Sequence, residues 1–261
     1  MKKAIYFGTL PTKLTVAERF ALAKRAGLDG VEIPSTYESQ QEVEELAGAA
    51  AAAGIAIHSV MASTHWQFPL SSTDEAVRLQ AVEGIQHALW VAKWAGADTV
   101  LVVPAVVNED VSYAAAWEIS QKSLRELLPT AEETGVRMAV ENVWNKFLLS
   151  PLEMRDYIDD FEHELVGAYF DVGNILMYGY PHQWIEILGE RIYKIHVKDF
   201  NVQKRDFVPL LTGNVDFPRI MNALRGVGYN DYLTAELAQY SQFQEQMVLD
   251  TGAHLQLILQ S

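Results

Sequence analysis

Short, continuously apolar runs alternate with longer stretches of helical amphipathicity from one end of the chain to the other. The pattern predicts strands at residues 4–7, 30–33, 55–61, 99–103, 137–141, 167–171, 192–197 and 232–237. Helices are expected near 15–26, 40–53, 74–95, 113–134, 151–161, 182–188, 216–225 and 242–258. Gly27, Gly54, Gly96, Gly135 and Gly228 each stand after a periodic stretch and before the next strand. That is where a helix end needs left-handed backbone.

Eight β/α units in about 250 residues predict a closed (β/α)8 TIM barrel, read as one domain over residues 1–261. An open doubly wound sheet shares the alternation and is the competing architecture. The run Val100-Leu101-Val102-Val103 is apolar on both faces, as a parallel strand covered by helices must be.

The hydrophobic fraction of 49% supplies one large core and excludes a disordered chain. With 34 acidic and 20 basic residues the formal charge is −14, which opposes binding to nucleic acid or an anionic membrane surface. There is no cysteine, so thiol nucleophiles, disulfides and cysteine-held zinc are excluded. The apolar run after Lys2-Lys3 stops at Thr9, too short for a signal peptide, and a cytoplasmic location is expected.

Active sites of such barrels lie where the strands end. The last four predicted strands all end in polar residues: Val140-Glu141-Asn142, Phe170-Asp171, Ile195-His196-Val197-Lys198-Asp199 and Ala235-Glu236. Side chains alternate across a strand. If Val140, Phe170, Ile195, Val197, Ala235 and Leu237 face the helices, then Glu141, Asp171, His196 and Glu236 point into the barrel. Three carboxylates in one small space repel and desolvate one another unless a cation joins them. Three oxygen donors and one imidazole favour Mn2+, Mg2+ or Co2+ over Zn2+.

These motifs, with Phe170-Asp171-Val172-Gly173-Asn174 and the segment His65-Trp66-Gln67-Phe68-Pro69-Leu70-Ser71-Ser72, resemble the xylose-isomerase-like sugar phosphate isomerase/epimerase superfamily. Within it they are similar to the L-xylulose-5-phosphate 3-epimerase and hexulose-phosphate isomerase branch. The resemblance spans essentially the whole chain. It implies a divalent metal held by Glu141, Asp171, His196 and Glu236, with the two glutamates as acid/base catalysts of a ketose 3-epimerase type reaction through an enediolate. Ketohexose 3-epimerases of the tagatose/psicose type carry glutamate, histidine and arginine where this chain has Phe147, Asn174 and Val202. The xylulose-phosphate branch tends to arginine where it has Trp66.

His65, Lys198, Glu32, His182 and Trp66 are the expected substrate contacts, with Glu32 alternatively orienting His65 or making a supporting hydrogen bond. Trp66, Trp144 and Phe7 are candidates for an apolar wall, and Leu211-Thr212-Gly213-Asn214 for a phosphate loop at a helix start. His58 reads as an interior histidine, and Trp90, Trp94 and Trp117 as packing or oligomer contacts. The implied partners are a small carbohydrate and further copies of the chain, as a dimer or tetramer. Two rival readings use a similar site: inosose dehydratase or hydroxypyruvate isomerase chemistry, and a non-catalytic sugar-binding barrel. An apurinic-site endonuclease shares the barrel but needs more ligands and a basic groove.

Overall fold

The computed structural model describes residues 1–261. Eight parallel strands close a barrel: β1 (Lys2–Tyr6), β2 (Gly30–Pro34), β3 (Ala56–Met61), β4 (Thr99–Val102), β5 (Arg137–Glu141), β6 (Val166–Asp171), β7 (Ile192–Val197) and, after an inserted antiparallel hairpin of β8 (Asp199–Asn201) and β9 (Asp206–Val208), β10 (Tyr232–Ala235). β1 pairs with both β2 and β10, so the sheet is closed and the open alternative is excluded.

Around it lie α1 (Val16–Arg25), α2 (Gln40–Ala52), α3 (Glu75–Ala95), α4 (Tyr113–Thr134), α5 (Pro151–Asp159), a single turn α6 (Val172–Ile175), α7 (Pro181–Leu188), α8 (Phe217–Gly226) and α9 (Gln244–Gln260). None is long and apolar enough to cross a membrane.

The helix ends obey local chemistry. Thr15 with Glu18, and Ser150 with Glu153, form reciprocal capping boxes. The five expected helix-ending glycines all have φ between 69° and 75°. Val140, Phe170, Ile195, Val197 and Ala235 belong to the 66-residue core between strands and helices. Leu101, Ala139 and Tyr169 form a separate small cluster, the apolar filling of the barrel itself. The assigned strand phase is therefore correct.

One expectation about the chain path is corrected, and one element is added. β1 ends at Tyr6, and Phe7 opens a 3-10 turn, buried against Phe20 at 5.1 Å with Arg19 over its ring. Phe7 thus belongs to the helix-side core and not to the wall of the mouth. The alternation that sends Ile5 outward sends Tyr6 inward. The hairpin of β8 and β9 had no sequence signal, because its strands have three residues each, too few to display a period.

Candidate metal centre and substrate cleft

In-register pairing of Asp171 with His196, and of His196 with Thr234, puts these three residues in one tier of the barrel. Glu236 follows two residues beyond Thr234, one step nearer the mouth. Glu141 pairs with Tyr169, two residues before Asp171. The stagger of a closed barrel brings the four together. Glu141, Asp171, His196 and Glu236 each offer a ligand atom, all within 4.8 Å of one another. His196 Nδ1 faces the set, 3.1 Å from Glu141 Oε1, 3.2 Å from Glu236 Oε2 and 3.9 Å from Asp171 Oδ2.

The donors fit a hard divalent cation. Asp171 Oδ2 is buried and accepts no hydrogen bond of good geometry. The one cation beside it, the Lys198 ammonium, lies 3.0 Å from that oxygen and 2.6 Å from Glu236 Oε2. An orphaned oxygen beside three further donors, with a positive charge already drawn in, is the environment a cation resolves.

The other face of His196 is fixed from below. Nε2 lies 2.8 Å from Glu32 Oε1, and Ser59 Oγ donates to Glu32 Oε2 at 2.8 Å. Tyr169 packs 4.4 Å from the imidazole. Glu32 has no solvent exposure. It does not reach the mouth; it makes the supporting hydrogen bond expected as the alternative, to His196 rather than His65, and holds the ring with Nδ1 aimed at the other three residues. The register shift between Val31 and Glu32 sets Glu32 opposite Ser59, whose hydroxyl donates to it.

Asn142 ties two ligand strands together. Its amide donates to the Asp171 carbonyl at 2.8 Å and accepts from the Asp171 N–H at 2.8 Å, as a backbone peptide would. Asn174 donates to the Asn142 carbonyl at 2.9 Å, and its N–H caps Asp171 Oδ1 at 2.8 Å.

Burial pushes the Glu141 carboxyl up to about 7, against the opposing pull of His196 and Lys198. For Glu236 burial acts the same way, but His196 and Lys198 outweigh it and hold the carboxyl below its usual range. Burial disfavours charge on His196, yet Glu32 and Glu236 overcome it and raise the imidazole well above an ordinary histidine. In the metal-free protein the cluster is a charge network with protons where a metal's charge would otherwise act.

Around this centre the expected contacts separate. His65 is buried on the β3–α3 connection, with Nδ1 unpaired; burial depresses it to about 4, although Glu236 pulls the other way. Trp66 packs edge-on against it at 5.4 Å and is 58% exposed. Trp144 stacks on Phe207 of the hairpin at 5.0 Å and donates to the Asn174 carbonyl at 3.0 Å. Phe207 also lies 5.4 Å from the Lys198 ammonium.

His182, at the start of α7, lines a different cleft with Tyr178, Tyr180 and Arg219 and none of the four ligands. His182 therefore stands apart from the four residues and does not join them as a substrate contact. Phe147 is buried among Tyr113, Trp117 and Tyr157, an apolar setting for a position where the tagatose/psicose type carries a glutamate. The Gly213 N–H is turned inward to Asp199 Oδ2 at 2.8 Å, so the glycine loop is a structural turn and not a phosphate receptor.

A cleft of about 550 Å3 opens from Lys198 and Glu236 and runs between the hairpin and the β10–α9 connection; Tyr6, Thr9, Leu210, Leu237, Gln239 and Met247 are among its walls. Tyr6 and the hairpin residues are the parts of this site that the sequence reading missed. Tyr6 was legible in the β1 alternation. The hairpin was not.

The model of the xylose isomerase-like TIM barrel family matches residues 20–256, and the chain belongs to that family. It is 29% identical over 239 residues to the L-ribulose-5-phosphate 3-epimerase of Escherichia coli O1:K1, covering 86% of this chain and 83% of that protein. Among solved structures it is similar to a D-tagatose 3-epimerase-like protein, with a TM-score of 0.87 and 20% identity over 100% of this chain and 97% of the other. It is also similar to the D-psicose 3-epimerase of Clostridium cellulolyticum H10, solved with D-tagatose, with a TM-score of 0.82 and 19% identity over 99% of each chain.

Proposed function

We propose that this member of the xylose isomerase-like TIM barrel family is a divalent-metal-dependent isomerase/epimerase of keto-sugars, of the ketose 3-epimerase type. The observation that carries the reading is the convergence of Glu141, Asp171, His196 and Glu236 within 4.8 Å at the barrel mouth. The names of its relatives, ribulose-phosphate, tagatose and psicose 3-epimerases, agree with it. These four residues would hold the ion, and the oxygen-rich donor set favours Mn2+. Such an ion, when bound, supplies Lewis acidity that makes the C–H beside a sugar carbonyl more acidic.

The rest is the work of the chain. Glu141 from β5 and Glu236 from the end of β10 project from well-separated strands and flank the space between them. One carboxylate takes the proton from the carbon next to the carbonyl and the other delivers one to the opposite face, which inverts that carbon. Lys198, bridging Asp171 and Glu236, places positive charge where oxygen becomes negative. Glu32 keeps the His196 ring from turning. His65, with Nδ1 free, offers a hydrogen bond to a sugar hydroxyl, and Trp66 and Tyr6 close the sides.

The test is deuterium wash-in. Metal-loaded protein in D2O with a panel of ketoses is expected to place deuterium at C3 and form the C3 epimer, and Glu141→Gln and Glu236→Gln each to abolish it. Label at C1 with an aldose product would make the enzyme an aldose–ketose isomerase. Exchange that persists in both glutamate variants would refute the two-carboxylate mechanism.

A further inference from the structure

On the footing of that reading, we infer that the sugar this cleft takes is unphosphorylated. The relative at 29% identity is named for a sugar phosphate. The anion-binding chemistry of this chain points the other way.

In (β/α)8 barrels a phosphate is frequently held by the last loops and a helix N-terminus. Here that corner is filled by the protein's own acids. Asp199, 1% exposed, accepts from Phe200 N at 2.9 Å, Gly213 N at 2.8 Å and Val215 N at 3.1 Å. Three backbone donors converge on one carboxylate, which is how a phosphate would be cradled. The start of α8 is capped in the same way, with Asp216 accepting from Arg219 N at 3.1 Å.

Apart from Lys198 and His254, the cleft is lined by neutral or acidic groups. Lys198 is the sole lysine or arginine on its wall, and both its close partners are carboxylates of the metal cluster. Thr9, Gln239, Tyr240 and Thr251 supply neutral hydrogen-bonding groups, and Pro209, Leu210, Leu237 and Met247 supply apolar ones. Such walls match sugar hydroxyls and carbon faces. Counted formally, the carboxylates of Glu32, Glu141, Asp171 and Glu236 against Lys198 and a divalent ion leave one negative charge uncompensated. A phosphate ester brings about 1.5 to 2 further negative charges at neutral pH.

The experiment pairs L-ribulose with L-ribulose 5-phosphate. Each is followed by deuterium wash-in at C3 and by calorimetric titration of the Mn2+-loaded protein. The free sugar is expected to have the higher kcat/KM, by at least about 100-fold, and the tighter binding. A phosphate ester processed or bound as well as the free sugar would overturn the inference. If neither sugar exchanges deuterium, the epimerase reading fails on its own, and the two binding isotherms still decide: tighter binding of the free sugar sustains the inference. Binding of neither sugar overturns it.

Discussion

Replacing Gly213 by alanine tests the architecture of the corner where a barrel usually holds phosphate. An added Cβ would overlap Asp199 Oδ1 and lie 2.6 Å from its Cγ and 2.8 Å from the Phe200 carbonyl oxygen. None of these is the free end of a flexible chain, since Asp199 is pinned by three N–H donors. Relief requires the loop to move, and the bonds from Gly213 N and Val215 N are the ones at risk. Hydrogen bonds to a buried charge are worth about 1.5–3 kcal/mol each, so loss of both costs about 3–6 kcal/mol. For a chain of this size that lowers the melting temperature by roughly 6–24 °C. Calorimetry of Gly213→Ala, Asp199→Ala and the double variant reads it out. In the Asp199→Ala background the cost of Gly213→Ala should fall by at least about half, because contacting sites couple. A single variant melting within about 1 °C of the parent, or strictly additive costs, would refute the account.

Three further outcomes follow from the charge network. Metal binding near pH 6.5 is expected to expel more than one proton, because burial keeps Glu141 protonated up to about 7 and the surrounding carboxylates keep His196 charged; affinity therefore rises with pH, and calorimetry in buffers of different ionisation enthalpy counts the protons. Lys198→Met strips the ammonium from Asp171 and Glu236, costing the metal-free protein about 3–5 kcal/mol, so the rise in melting temperature on adding Mn2+ should be larger than in the parent; an equal rise would contradict the role given to Lys198. Burial lowers His65 from 6.5 to about 4, so its neutral form favours the fold fully above pH 6.5 and that contribution is lost as pH falls toward 4. The loss is about 3 kcal/mol, and His65→Gln should flatten the acid limb of the stability curve by about that amount in urea titrations.

The barrel was legible because parallel strands sheathed in helices leave a repeating record: apolar run, amphipathic stretch, glycine with positive φ. The four residues of the candidate metal centre were legible for a related reason. A charged residue on the inward phase at a strand end is conspicuous against Val140, Phe170, Ile195 and Ala235 on the outward phase. What the sequence concealed was depth and direction. Glu32 shares the inward phase, yet alternation carries no height, and the register shift that sets it opposite Ser59 leaves no mark in composition. His182 follows a proline, but nothing local tells which side of α7 faces the mouth. Gly213 announces a turn without saying that its N–H points at Asp199. Phe7 has the character of a mouth residue, but the β1 alternation that sends Ile5 outward selects Tyr6.

The Asn142 side chain pairs with both backbone groups of Asp171, so the β5–β6 ladder continues one rung past the point where peptide pairs with peptide. Two carboxylates of the candidate metal centre are consequently set by strand register, independently of any ion. Assembly of the ligands is thereby completed during folding, and capture of the ion becomes an exchange of protons and an ammonium for a metal within a finished frame. On the proposed reading, release of an ion would leave the amide of Asp171 as protected from solvent exchange as before, and a metal would be released and recaptured without passing through an unfolded state.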